Sequence, residues 1–187
     1  MEMFKEMSAG KIRGKILTIL WVAGTPIPLQ QISEKIGLDP SQTRGYLLSL
    51  IKAKYVSVPQ KNFCAITDRG KQAIGLPQVD KNLAIKILSS LPLEKAFYFY
   101  SDMDQYSGVH ADSFKDFVNK IQTIDLKSIE FHISRKDFEF WISSLGDAEF
   151  SKKLGMLRTK KLHGEDLRKE LYEIANSRYE ELKNLTV

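Results

Sequence analysis

Glu130, His132, Arg135 and Asp137 place two carboxylates, an imidazole and a guanidinium within eight residues, the groups that general acid–base chemistry uses. Their spacing works against a shared site. On one helix Glu130 and His132 would point about 200° apart. Ser134, with Asp137 three residues later, reads as a capping box that opens a new helix from Arg135 to Leu145. Arg135 and Asp137 would then lie across a break from His132. The cluster reads as ion pairing at a helix corner or as part of a ligand site, and no catalytic residue is assigned.

Metal and nucleotide chemistry find no better footing. His110, His132 and His163 are far apart, and no pair shows the i, i+4 or Cys-x-x-Cys spacing of zinc ligands. Asp102-Met103-Asp104-Gln105-Tyr106-Ser107-Gly108 begins like a calcium loop, yet Tyr106 takes a ligand position and the closing glutamate is missing. Neither a Walker loop nor a Gly-x-Gly-x-x-Gly run occurs. No cofactor is expected. The lone cysteine, Cys64, rules out an internal disulfide framework and fits a reducing compartment.

The elements are most legible between Ile27 and Gly70. Pro28 opens a helix in which Leu29, Ile32 and Ile36 form one apolar stripe, and Gly37 closes it. Asp39 and Pro40 then suit the N-cap and first position of a second helix, about 40–52, buried along Thr43, Leu47, Leu50 and Ile51. That leaves Ser41, Gln42, Arg44, Gly45, Leu48 and Ser49 on other faces. Tyr55-Val56-Ser57-Val58 and Phe63-Cys64-Ala65-Ile66, joined at Gln60-Lys61-Asn62, read as a hairpin. Thr67 suits the N-cap of a further helix from Asp68. Before all of these, a helix from about Lys11 to Val22 is so apolar that it must be covered. Leu17 and Trp21 serve either the domain's own core or a dimer contact.

This order of elements resembles the winged helix-turn-helix family of DNA-binding domains, over about residues 10–77. The resemblance rests on Gln30-Gln31-Ile32-Ser33-Glu34-Lys35-Ile36-Gly37-Leu38, on Tyr46-Leu47-Leu48-Ser49-Leu50 and on Ile66-Thr67-Asp68-Arg69-Gly70. It implies a recognition helix in the major groove, with Ser41, Gln42, Arg44 and Tyr46 toward base edges and Lys61, Arg69 and Lys71 near phosphates. Many relatives have glycine where Lys54 stands, so the entry to the first wing strand departs from the pattern.

Charge bears on the same region independently. Residues 1–77 hold 11 Lys and Arg against 5 Asp and Glu, whereas residues 78–187 hold 17 against 18. The basic excess therefore belongs to the first part, where it suits a polyanion. Double-stranded DNA is the expected partner and transcription regulation the expected role, as a homodimer. The alternative is a winged helix that binds another protein, with the second domain as scaffold.

Gly75-Leu76-Pro77-Gln78 marks the expected boundary between a first domain, 1–77, and a second, 78–187. The expected fold class is mainly α: a winged helix with a small hairpin, then an all-helical domain serving dimerisation or the sensing of a small-molecule effector. Ala96-Phe97-Tyr98-Phe99-Tyr100 could be helix or buried strand. Helices are expected over about 113–124, from Asp125 to His132, from Asp147 to about Leu157, and from Gly164 to about Leu185. Along the last, Leu167, Leu171, Ile174, Arg178, Glu181 or Leu182, and Leu185 make a stripe too short for a clean coiled coil, so packing on its own domain is expected first and dimerisation second. Ser128-Ile129-Glu130-Phe131-His132-Ile133-Ser134-Arg135-Lys136-Asp137-Phe138-Glu139-Phe140-Trp141, with Leu145-Gly146-Asp147 and Gly164-Glu165-Asp166-Leu167-Arg168, resembles a small uncharacterised domain found mainly in archaeal proteins, over about 82–185. That likeness implies a helical module, favours an archaeal source and carries no activity. No run approaches the ~20 apolar residues of a membrane span. Met1 to Glu6 lacks the apolar core of a signal peptide, so a cytoplasmic location without membrane contact is expected.

Overall fold

The computed structural model describes residues 8–187, and the reading of Met1 to Glu6 lies outside them. The protein is mainly helical, with small antiparallel sheets. It divides into two compact units, one ending at Gln78 and the other running from Val79 to Val187.

The first unit contains α1 (Ala9–Ala23), β1 (Ile27–Pro28), α2 (Leu29–Ile36), α3 (Pro40–Lys52), β2 (Val56–Gln60), β3 (Phe63–Ile66) and α4 (Asp68–Ala73). Asp39 starts α3, its carboxylate accepting the backbone N–H groups of Ser41 at 2.9 Å and Gln42 at 3.0 Å, two donors a helix start would otherwise leave unpaired. Thr43, Leu47 and Leu50 are buried against Ile12, Ile16, Leu20 and Ile32. The Thr43 hydroxyl donates to the Asp39 carbonyl at 3.0 Å, which allows a polar side chain there. Leu17, 3% exposed, lies inside this core, and Trp21 is 2% exposed, so neither side chain is open to the dimer contact that was the second alternative for them.

The strands pair antiparallel in the order β1-β3-β2, with Ile27 opposite Cys64 and Val56 opposite Ile66. Between Ser57 and Gln60 the register shifts, at the stretch where Pro59 can donate no ladder bond. The Ile66–Gly70 motif ties the far end of this hairpin to its start. The Thr67 hydroxyl donates to the Lys54 carbonyl at 2.8 Å and accepts the Gly70 N–H at 3.1 Å. A Cβ on Gly70 would sit 2.2 Å from the Tyr55 carbonyl oxygen, so only glycine lets α4 come this close. Lys54 has φ 61°, the left-handed region that glycine adopts most easily. The departure seen at Lys54 is therefore a lysine held in a glycine-like conformation.

The second unit contains α5 (Lys81–Leu88), a 3₁₀ turn (Leu93–Lys95), β4 (Phe97–Asp102), β5 (Gln105–Ala111), α6 (Phe114–Ile121), α7 (Leu126–Arg135), α8 (Asp137–Leu145), α9 (Ala148–Thr159) and α10 (Gly164–Thr186). The expectation of an all-helical second domain is corrected by the antiparallel hairpin β4-β5, in which Phe97 pairs with Ala111 and Tyr100 with Tyr106. Alternation explains it. Phe97 and Phe99 are buried while Tyr98 between them is exposed, a period-2 pattern that no helix could bury on one face. The inward rings join Phe117, Phe138 and Trp141, centroids 5.0–6.3 Å apart in mostly edge-to-face or tilted pairs. Burying each ring stabilises the unit by roughly 1.5–3 kcal/mol.

The capping box at Ser134 is also corrected. Ser134 lies inside α7, its hydroxyl donating to the Phe131 carbonyl at 2.8 Å, and the chain breaks two residues later at Lys136, φ 68°. Leu167, Leu171, Ala175, Arg178 and Leu182 of α10 are all buried, so this helix packs on its own unit. Among the described residues no helix is long and apolar enough to cross a membrane.

Candidate functional site

Burying Thr43, Leu47 and Leu50 turns the rest of α3 outward. Ser41, Gln42, Arg44 and Gly45 are exposed, and Leu48 is 61% exposed. Within the described residues the side chains of Ser41, Gln42 and Arg44 make no hydrogen bond or ion pair to the rest of the chain. Their side-chain donors and acceptors face solvent at the N-terminal end of the helix, whose backbone N–H groups Asp39 already caps. Tyr46 differs from its expected position: its ring is half-buried against the unit's core. Its carbonyl accepts the Ser49 hydroxyl at 2.7 Å, and Ser49 in turn accepts the Arg13 Nε at 3.2 Å. Arg13, on α1, therefore adds a cation beside α3 that the sequence did not single out. Its place off the Ile12–Ile16–Leu20 stripe signalled exposure but not its neighbour.

The remaining basic candidates are spread over other elements. Lys61 is exposed at the tip of the β2-β3 hairpin, next to Asn62 with φ 68°. Arg69 is exposed on α4 with its guanidinium 5.4 Å from the Tyr55 ring centroid, and Lys71 is half-buried.

In the second unit, His132, Arg135 and Asp137 do meet, while Glu130 does not join them. His132 is buried on α7. Its Nε2 accepts the Tyr100 backbone N–H at 2.8 Å, which puts the ring proton on Nδ1, 2.8 Å from Asp137 Oδ2. Burial pushes the His132 pKa below its usual value, as does Arg135, against an opposing pull from Asp137. The imidazole is neutral with both nitrogens occupied, so it can neither take a substrate proton nor bind a metal while this geometry holds. Asp137 also accepts the Arg135 Nε at 3.3 Å, and the guanidinium lies 5.0 Å from the Phe131 ring centroid. Glu130 faces another way and accepts the Gly164 N–H at 2.9 Å, as its angular separation from His132 required. Above the cluster lies an open groove of about 390 Å³, walled by Tyr98, Tyr100, Met103, Phe131 and Arg135.

A second internal cluster escaped the sequence reading. Arg178, 2% exposed, donates to both Asp147 oxygens at 2.7 and 2.8 Å and to Glu149 at 3.3 Å, with Glu181 2.8 Å away. Burial alone would lower the Arg178 pKa, but the bonds to Asp147 and the nearby carboxylates hold it above the usual arginine range. Asp147 also accepts the Phe150 N–H at 2.9 Å, so one carboxylate both starts α9 and pins α10. The visible signal was a charge at Arg178 in an otherwise apolar stripe. Among the described residues no group of three or more His, Cys, Asp and Glu is placed to hold a metal ion.

No family model, curated protein or solved structure matches the chain. The functional reading therefore rests on the residues and their geometry.

Proposed function

We propose that this chain is a regulator that binds double-stranded DNA through its first unit, a winged helix whose α3 enters the major groove. The observation that carries the reading is the division of α3 into a buried face, Thr43-Leu47-Leu50, and an outward face, Ser41-Gln42-Arg44, whose hydrogen-bonding groups are unused within the described residues. Serine, glutamine and arginine are side chains that read base edges, and arginine pairs with guanine through two bonds. The net charge of +6 on residues 1–77, from 11 basic and 5 acidic side chains, supports the phosphate contacts such docking needs. Lys61 on the hairpin, Arg69 on α4 and Arg13 beside α3 supply cations from three further elements.

A salt titration with random-sequence duplex DNA tests this. Binding at low salt that weakens steeply as salt rises is expected, because each neutralised phosphate releases counterions. Absence of binding at low salt would leave the first unit a protein-interaction module.

A further inference from the structure

Gly45 stands in the interior of α3 without an internal reason to be glycine. Its φ is not in the left-handed region, and a Cβ built on it would meet nothing within 4 Å. Glycine at such a position destabilises a helix relative to alanine. What it leaves is a notch on the outward face, where another molecule can approach the helix backbone closely. Ser41 and Leu48 lie one turn to either side of the notch. Leu48, 61% exposed, is the only large apolar side chain of α3 that is exposed. Gly10 and Gly14 of α1 are equally open, but among the described residues no exposed large apolar side chain lies within a turn of them.

An apolar side chain among base-reading polar ones has one counterpart in the major groove. The edges of the four base pairs present hydrogen-bond donors and acceptors, and the one apolar group among them is the thymine 5-methyl. We propose that α3 recognises duplexes carrying a thymine opposite Leu48, with the notch at Gly45 letting the helix settle deeply enough for Leu48 to cover that methyl. This rests on the DNA-binding reading above, and it names the class of site that reading leaves open.

The test uses the full chain and a duplex enriched from a random pool by repeated rounds of binding. Each thymine is then replaced singly by deoxyuridine, which removes only the methyl group. One replacement is expected to weaken binding about fourfold, the ratio for one apolar carbon buried at ~0.8 kcal/mol, and to have no effect on Leu48→Ala. Gly45→Ala is expected to raise Tm while weakening binding to the same duplex. A merely structural glycine would not separate the two readouts. Equal affinity for thymine and deoxyuridine at every position, or Gly45→Ala binding as tightly as wild type, overturns the inference and leaves DNA binding standing. Binding of the random pool at low salt without enrichment of any duplex overturns the inference and leaves DNA binding standing, and no binding of the pool at low salt overturns both.

Discussion

Two polar clusters sit on helices of this protein and end in opposite places. Around α3, Ser41, Gln42 and Arg44 point to solvent with their bonding capacity unused within the described residues. At the α7–α8 corner, His132 and Asp137 use theirs on each other, on Arg135 and on the Tyr100 backbone. Residue type alone marks the second as the better site, since it holds a histidine and a carboxylate in contact. Hydrogen bonding reverses that ranking for His132, because both of its ring nitrogens are taken inside the fold. Mutations at the inward clusters should therefore register in stability, and those on α3 in binding.

The largest effect is expected at the Arg178 cluster. Arg178→Ala leaves Asp147 and Glu149 buried without their guanidinium, and breaking a buried pair from one side costs about 3–5 kcal/mol. Urea unfolding of the second unit should record this loss, while DNA affinity per folded molecule stays as in wild type. A change below about 1 kcal/mol would show that water reaches these carboxylates and repairs the loss.

Next in size is His132→Ala, which strands the Tyr100 N–H and frees Asp137, at about 1–3 kcal/mol. The same residue gives a pH signature. Burial holds its folded pKa below the usual 6.5, so between the two values the unfolded chain binds a proton that the folded protein does not. Its contribution to stability is complete above 6.5 and declines as the pH falls. Urea midpoints measured from pH 7 to pH 5 should fall more steeply for wild type than for His132→Ala. Parallel curves would mean that the folded imidazole titrates normally, and the inward assignment of this cluster would fail.

Legibility followed the range of the forces involved. Caps and turns are local, so Asp39, Gly37 and Thr67 were readable from a few neighbours and stand where expected. The hairpin of the second unit was half legible: the alternation of Phe97, Tyr98, Phe99 and Tyr100 is a strand signal, but its partner Gln105–Ala111 has polar or small residues at most positions. The helix break was misplaced because Ser134 and Asp137 look like a cap. In the fold Asp137 is drawn to His132 instead, and Lys136 takes the turn at a φ usually left to glycine. Pairings across many residues were not legible at all. Nothing near Arg178 in sequence points to Asp147, 31 positions away.

On the outward side, Arg44→Ala is expected to lower discrimination between the enriched duplex and random DNA by roughly 1–3 kcal/mol, as for the loss of a bidentate guanine contact. Thermal stability should not move, because the side chain has no partner inside the described residues. Equal weakening on every sequence would keep Arg44 at the interface but assign it to phosphate.

Lys61→Gln is the smallest and most diagnostic change. Lys61 sits at the hairpin tip, fully outside the core, so its loss leaves the fold intact and removes one positive charge. If the tip lies along a phosphate strand, log affinity against log salt should lose about one unit of slope, with discrimination between sequences unchanged. An Arg44 variant should do the reverse, keeping most of the slope and losing discrimination. These two signatures on one unit would separate the residues that hold DNA from those that read it. An unchanged slope for Lys61→Gln would mean that the hairpin points away from the duplex, leaving Arg13 and Arg69 as the cations to test next.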